Sequence, residues 1–294
     1  MSGELYAIAC AFLWALSSTL LKSQTHRVDV ISLAAWRTVP GLFLYLGLLF
    51  FSGKANDVLH LPLRVLALLV GSTLLGLGLG DLLYFWSMKL IGLARAMPLS
   101  ATYPFFTLIL ALLFLGEQLN WGIVGGAALI TGGAYLLAFP RGTGKIRSSA
   151  AQRMDLKGMA LALVAAICWA VSTVILRLGL EGVDIAVANS VRLSVLVIAL
   201  FAVLFQRGEI GRIREYGLRS LGITLLAGVI GTGLGTFAFL AALQRAGAAK
   251  TSILTSTTPL FGLPFSLVLR EKLTSRTLLG TILAMVGVWL TIYI

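Results

Sequence analysis

Asp81 is the side chain in this sequence best placed to do chemistry. It is the one acid set well inside an apolar stretch; Glu4, Asp29, Asp57, Glu117, Asp155, Glu181, Asp184, Glu209, Glu215 and Glu271 fall at the ends of such stretches or between them. A carboxyl group inside lipid is costly and by default marks an ion or substrate path, with proton exchange as its chemistry. The alternative is an ion pair with a basic side chain near Lys89, about two helical turns away. Tyr84 and Trp86 stand beside it, either as the wall of an aromatic cavity or as part of a lipid-interface belt. Two further sets of polar residues lie at mid-stretch. Trp14, Ser17 and Ser18 match Trp169, Ser172 and Thr173, at spacings that hold each set near one helix face. An indole supplies a broad apolar surface with one N–H donor, and hydroxyls can bind an ammonium or a carboxylate without contributing an ion of their own. Such a lining suits zwitterions with apolar side chains; the competing role is interface filling, with the hydroxyls bonded back to the helix.

Ser100, Thr102, Tyr103 and Pro104 match Thr255, Ser256, Thr257, Thr258 and Pro259. Proline inside a helix deprives a carbonyl one turn earlier of its partner. Those carbonyls either accept from a substrate ammonium or are satisfied by the nearby hydroxyls while the proline bends the helix. Arg37 and Arg192 lie about two turns into their helices, where they can form gate ion pairs, for instance with Asp29 and Asp184, or snorkel toward headgroups.

The elements that must position these residues are membrane helices. The chain is 59% hydrophobic and 12% charged, with mean hydropathy +0.97, too little polar surface for a water-soluble globule of 294 residues. At roughly 20 apolar residues per crossing, ten spans are read near 4–21, 30–51, 65–88, 93–114, 121–139, 158–176, 185–205, 218–242, 248–269 and 277–293. Runs such as Ala160 to Ile167 are apolar at every position, which excludes the alternation of a β-barrel. The first span lacks a basic leader and is expected to remain as a helix. Almost nothing is left over for a soluble catalytic or nucleic-acid-binding domain.

The chain also contains itself twice, with residue n recurring at about n+155. Trp14, Ala15, Ser17 and Leu21 match Trp169, Ala170, Ser172 and Leu176; Arg37 matches Arg192; Gly76, Gly78 and Gly80 match Gly231, Gly233 and Gly235; Gly92 matches Gly247. The glycine rows predict close helix packing and easy bending. Five spans per copy send the second copy into the membrane from the opposite side, the signature of an inverted-repeat transporter. The expected fold is an all-α membrane protein of ten transmembrane helices, as two inverted five-helix repeats at 1–139 and 158–294 joined by a basic, flexible linker at 140–157. Most of the net charge of +12 falls on connections 1–2, 3–4, 5–6, 7–8 and 9–10, against Lys54, Arg64, Arg177, Arg245 and Lys250 on the others. This bias places the linker in the cytoplasm and both termini outside, and makes lipid, not nucleic acid, the partner of these charges.

Enzyme chemistry is disfavoured. His26 and His60 lie in connections, Asp81 has no intramembrane acid partner, Cys10 and Cys168 are not repeat partners, and no metal-ligand set or cofactor motif is legible. No phosphate-binding loop encodes a nucleotide motor, and no filter-like ring points to a channel.

At Leu113-Phe114-Leu115-Gly116-Glu117, followed by Gly125 and Gly132, the sequence resembles the EamA-type drug/metabolite transporters. The match recurs at Leu269-Arg270-Glu271 with Gly280 and Gly287, with Pro104 and Pro259 about a dozen residues before each Glu. The tryptophan-bearing first helix and the Gly76 to Trp86 stretch look most like the YddG-like amino-acid exporter branch. The resemblance implies a secondary transporter of the cell inner membrane that exports amino acids, aromatic or broadly neutral, by alternating access around a cavity between the repeats; because one chain holds both halves, a monomer is expected. The alternative cargo is a lipophilic drug or another small metabolite.

Overall fold

A computed structural model describes residues 2–118, 120–138, 149–262 and 275–293, and among these there is no strand. The order is α1 (Gly3–Gln24), α2 (Val30–Phe51), α3 (Leu63–Thr73), a π-helical segment (Leu74–Gly80), α4 (Asp81–Ile91), α5 (Leu93–Ser100), α6 (Tyr103–Leu115), α7 (Trp121–Ala138), α8 (Ser149–Gly179), α9 (Ile185–Gln206), α10 (Gly217–Gly228), a second π-helical segment (Val229–Gly235), α11 (Thr236–Thr255) and α12 (Ser275–Tyr293). Among the described residues, six helical runs are long and apolar enough to cross a membrane: Gly3–Gln24, Val30–Phe51, Leu63–Ile91, Arg153–Gly179, Ile185–Gln206 and Gly217–Thr255. Tyr103–Leu115, Trp121–Gly133 and Ile282–Tyr293 are shorter apolar helices. Large apolar side chains on the outside, such as Phe43, Phe51 and Leu113, are exposed as a lipid-facing surface requires. The chain is a multi-pass, all-helical membrane protein. The last third of the expected ninth span, 263–269, and Glu271 beyond it lie outside the described residues.

Local chemistry sets the breaks. Asp29 and Asp184 have extended backbones and cap α2 and α9 through their carboxylates. Gly92 and Gly247 sit at φ 81° and 78°, a left-handed conformation open to glycine, and each separates two helices that would otherwise run on. The expected span 93–114 is not one helix bent at Pro104. It stops at Ser100, turns at Ala101 and Thr102, and restarts so that Pro104 lies in the first turn of α6, where no N–H is required. Nor is the stretch 140–157 all linker: α8 begins at Ser149, because Ala150, Ala151, Gln152, Arg153 and Met154 are good helix formers.

The two glycine rows form the π-helical segments, whose backbone bonds span five residues instead of four. Packing follows a reciprocal pattern. Helix α1 lies against α10, α11 and the segment between them, α8 lies against α3, α4 and theirs, α2 packs on α9, and α7 packs on α12. At the last seam backbones touch: a Cβ on Gly287 would stand 2.8 Å from the Gly126 carbonyl oxygen, and one on Gly133 would stand 3.0 Å from the Ala284 nitrogen. The buried apolar core divides into one cluster that includes Leu33, Tyr45, Met88 and Leu196 and another that includes Leu69, Leu176, Leu240 and Ile253.

Candidate functional site

A cavity of about 140 Å³ lies where these packed runs meet. By the criterion that one water occupies roughly 10–15 Å³ on this measure, it has room for about ten waters, the scale of a small metabolite. Its walls come from α1, α2, α8, α9, both π segments and their flanks, and the α5–α6 and 255–259 turns.

The indoles enter through the glycines. A Cβ on Gly235 would stand 2.7 Å from Trp14 Cδ1, and one on Gly80 would stand 2.8 Å from Trp169 Cδ1, so each ring lies on bare backbone. Ser17 and Ser172 make the same reciprocal approach to Gly231 and Gly76. Their hydroxyls donate across helices, Ser17 to the Ala227 carbonyl at 2.8 Å and Ser172 to the Ser72 carbonyl at 2.7 Å, while Thr173 bonds back to Trp169 O at 2.8 Å. Ser18 also lines the cavity, within reach of the Tyr84 hydroxyl. Trp14 stacks beside Phe239 with centroids 5.1 Å apart; Trp169 lies 5.3 Å from Tyr84 and 6.3 Å from Tyr103.

Charge enters at two points, one of them an ion pair. Arg37 Nη2 forms an ion pair with Asp81 Oδ2, and Trp169 Nε1–H donates to Asp81 Oδ1 at 2.8 Å. The Arg37 guanidinium lies 4.8 Å over the Phe85 ring. The partner of Asp81 is thus a residue of α2, not a base near Lys89. Arg192 is also buried in the wall; its Nε donates to Thr73 Oγ1 at 3.0 Å and its Nη1 to Asn189 Oδ1 at 2.8 Å. Neither arginine snorkels or meets an aspartate at its helix start. Asp29 accepts from the Ile31 and Ser32 amides, and Asp184 accepts from the Ala186 amide and pairs with Lys54. Burial works against the Asp184 carboxylate, but the Lys54 side chain and the backbone amides outweigh it and hold the group below the ordinary value of 3.8. Lys54 is raised in turn by its hydrogen bond to Asp184.

The turns add Ser100, Tyr103, Thr255, Ser256, Thr258 and Pro259 to the wall, with Tyr103 and Thr255 joined hydroxyl to hydroxyl. The carbonyls near the prolines are largely met by side chains: Ser100 Oγ donates to Met97 O, Thr102 Oγ1 to Leu99 O, and Thr258 Oγ1 to Thr255 O. Thr102, Thr257 and Pro104 stay out of the cavity wall, Thr257 bonding to Leu254 O at 2.6 Å. Tyr45, Thr73, Asn189, Thr232 and Thr236 form a buried polar network around Arg192 that the choice of candidates leaves out. A mid-span polar residue, the signal that marks Ser17 and Ser172, marks Thr232 and Thr236 as well, whereas Asn189, one turn into its helix, carries no such mark.

Glu117 has a role that spacing does not reveal. Its carboxylate reaches across to the chain after Gly247 and accepts from the Ala248 amide at 2.6 Å and the Ala249 amide at 2.9 Å, capping the helix that begins there.

A bundle of membrane helices around a polar, aromatic and charged cavity is an arrangement that can hold a small solute within the bilayer. A profile of the EamA-like transporter family matches residues 1–139 and again 156–293, and the chain belongs to that family. Among its relatives, an uncharacterized transporter of Archaeoglobus fulgidus is 25% identical over 290 residues, covering 97% of this chain and 96% of its own. The pseudopaline exporter CntI of Pseudomonas aeruginosa is 24% identical over 139 residues, 47% of each chain. A solved crystal structure superposes with a TM-score of 0.76 at 18% identity, covering 99% of this chain and 96% of that one, and shares its fold.

Proposed function

We propose that this transporter is a secondary exporter of amino acids, aromatic or broadly neutral. In this reading two inverted five-helix repeats, 1–139 and 158–294, rock around the cavity to give alternating access. The linker faces the cytoplasm and both termini lie outside, in the cell inner membrane. The observation that carries the reading is the composition of the wall: two indoles laid on glycine, a set of hydroxyls, and the Arg37–Asp81 pair around one cavity. The apolar rings accommodate a side chain, and the polar groups replace the water that a zwitterion leaves behind. The reciprocal seating of Trp14 and Trp169 on Gly235 and Gly80 supports a two-fold relation between the halves. Asp81 is the group at which a proton would couple, since its protonation would release Arg37. No nucleotide-driven motor is needed, and one chain supplies both halves.

Export of a different polar metabolite is the second reading, favoured by the similarity to the pseudopaline exporter over half of each chain. A lipophilic cargo fits the charged wall poorly.

Reconstitution into liposomes with labelled tryptophan, phenylalanine, methionine and threonine, with and without a pH gradient, tests the proposal. Movement of at least one is expected, and Trp14→Ala or Trp169→Ala should impair it without loss of expression. If none of the four moves, the amino-acid reading fails; if a pH gradient leaves the rate unchanged, Asp81 carries no coupling proton.

A further inference from the structure

The two halves differ at the point where charge enters the cavity. In register, Arg37 corresponds to Arg192, Trp169 to Trp14, and Asp81 to Thr236. One set is complete: Trp169 Nε1–H and Arg37 Nη2 both converge on the Asp81 carboxylate. The other set has its two donors without the carboxylate. Thr236 stands in that place, and its hydroxyl is taken up by Thr232 O, with Asn189 Nδ2 and the Tyr45 hydroxyl beside it. Trp14 lies on Gly235 as Trp169 lies on Gly80, yet among the described residues its N–H has no acceptor. Arg192 is bonded only to the neutral oxygens of Thr73 and Asn189, and among the described residues no carboxylate lies within ion-pairing distance.

Both donors line the cavity, and so do Arg37 and Asp81, which neutralise one another. Among the described residues no other acid is part of the wall, so their charges leave one positive charge unmatched in the cavity. A guanidinium does not shed its proton, and an uncompensated buried cation is unfavourable until an anion meets it. Asp81 shows which anion this arrangement of indole N–H and guanidinium accepts, a carboxylate.

Resting on the transport reading above, we propose that Arg192 and Trp14 form the subsite for a carboxylate of the transported molecule, which there completes the ion pair that Asp81 makes in the other half. The ring of Phe239 beside Trp14 leaves the substrate an apolar wall next to its charged end. A carboxylate is then obligatory and an ammonium is not. An amine that lacks a carboxylate brings a second positive charge into the cavity and is excluded.

The test uses three molecules that share one ring: tryptophan, indole-3-acetate and tryptamine. Binding is followed by ligand-induced thermal stabilisation of the full chain in detergent, and movement by flux into liposomes. The wild type should bind and move tryptophan and indole-3-acetate, with tryptamine weaker by about tenfold or more, the least expected when a charge-assisted contact is lost. Arg192→Gln should weaken indole-3-acetate by a similar factor. Should that variant not fold, Thr236→Asp keeps the test open, because it adds an internal carboxylate for Arg192 instead of removing a charge, and it should compete indole-3-acetate out by about tenfold. Tryptamine binding as well as indole-3-acetate, or Thr236→Asp binding indole-3-acetate like the wild type, overturns the subsite while leaving the transport reading intact. Failure of the wild type to bind or move any of the three overturns the subsite, and the amino-acid reading falls with it only if phenylalanine, methionine and threonine fail to move as well.

Discussion

Replacing Asp81 by Asn tests the charge arrangement directly. The amide keeps the shape of the carboxyl and an oxygen for the Trp169 N–H, so the change isolates the negative charge. The side chains of Arg37 and Asp81 are 9% and 11% exposed, which puts the pair among buried ion pairs and not surface ones. Breaking such a pair by removing one partner costs about 3–5 kcal/mol, because the other charge is left buried. Here the cost is compounded by Arg192, a second cation in the same wall. At roughly 2 °C per kcal/mol for a chain of this size, Asp81→Asn should lower the unfolding midpoint by about 6–10 °C, read from intrinsic tryptophan fluorescence in detergent. Arg37→Gln should fall by a similar amount, with a further loss from its contact over Phe85. The double variant removes both charges and leaves none unmatched between them, so it should recover most of the loss, to within about 3 °C of the wild type. A double variant as unstable as the two single losses added together would show that the ion pair does not hold Arg37 in place, and the account of the cavity's charge would fail.

Three further outcomes follow from other contacts. Glu117→Ala should destabilise by about 1–2 kcal/mol, the worth of a helix cap, whereas Glu117→Gln, which keeps an acceptor for the Ala248 and Ala249 amides, should lose less; equal losses in thermal unfolding would contradict the capping role. Gly133→Ala should disrupt the α7–α12 seam and lower the midpoint, while Gly132→Ala, with open space around the new methyl, should be neutral, and a reversed order would refute the packing described. The Lys54–Asp184 link has a pH signature. The Asp184 value is depressed, so its stabilisation is present above the ordinary 3.8 and is lost as pH falls through the lower folded value. Lys54 is raised, so its share persists below 10.5 and fades only as pH rises past its folded value. A wild type less stable than Asp184→Asn at pH 7 would contradict this, and the two should converge in strong acid.

The functional residues divide by how local their cause is. Asp81, Trp14, Trp169, Ser17 and Ser172 are legible because lipid tolerates a polar group at mid-span only for a reason, and the internal register marks the pairs. What each one touches is another matter. Asp81 follows seven π-helical residues, Leu74–Gly80, and every such turn rotates the helix beyond it away from the 3.6-residue period, so no count along the sequence points Asp81 at Arg37. The arginines show the same limit from the other side. Their depth reads as a gate or a snorkel, yet both turn inward because α2 and α9 pack on each other and on the glycine segments. Pro104 reads as a bend and is in fact a first-turn residue, because the break falls three residues earlier, at Ala101.

By itself the sequence determined that the chain lies in a membrane, that its apolar stretches are built from helices, and that its halves share one pattern. Each of these depends on composition over a single span or on the chain's likeness to itself. Only the tertiary structure decided that one arginine is matched and the other is not, and that Glu117 closes a helix from the opposite half. Those facts depend on distances between residues 44 to 155 positions apart, which helix rotation and glycine-permitted contact set and which no local preference encodes.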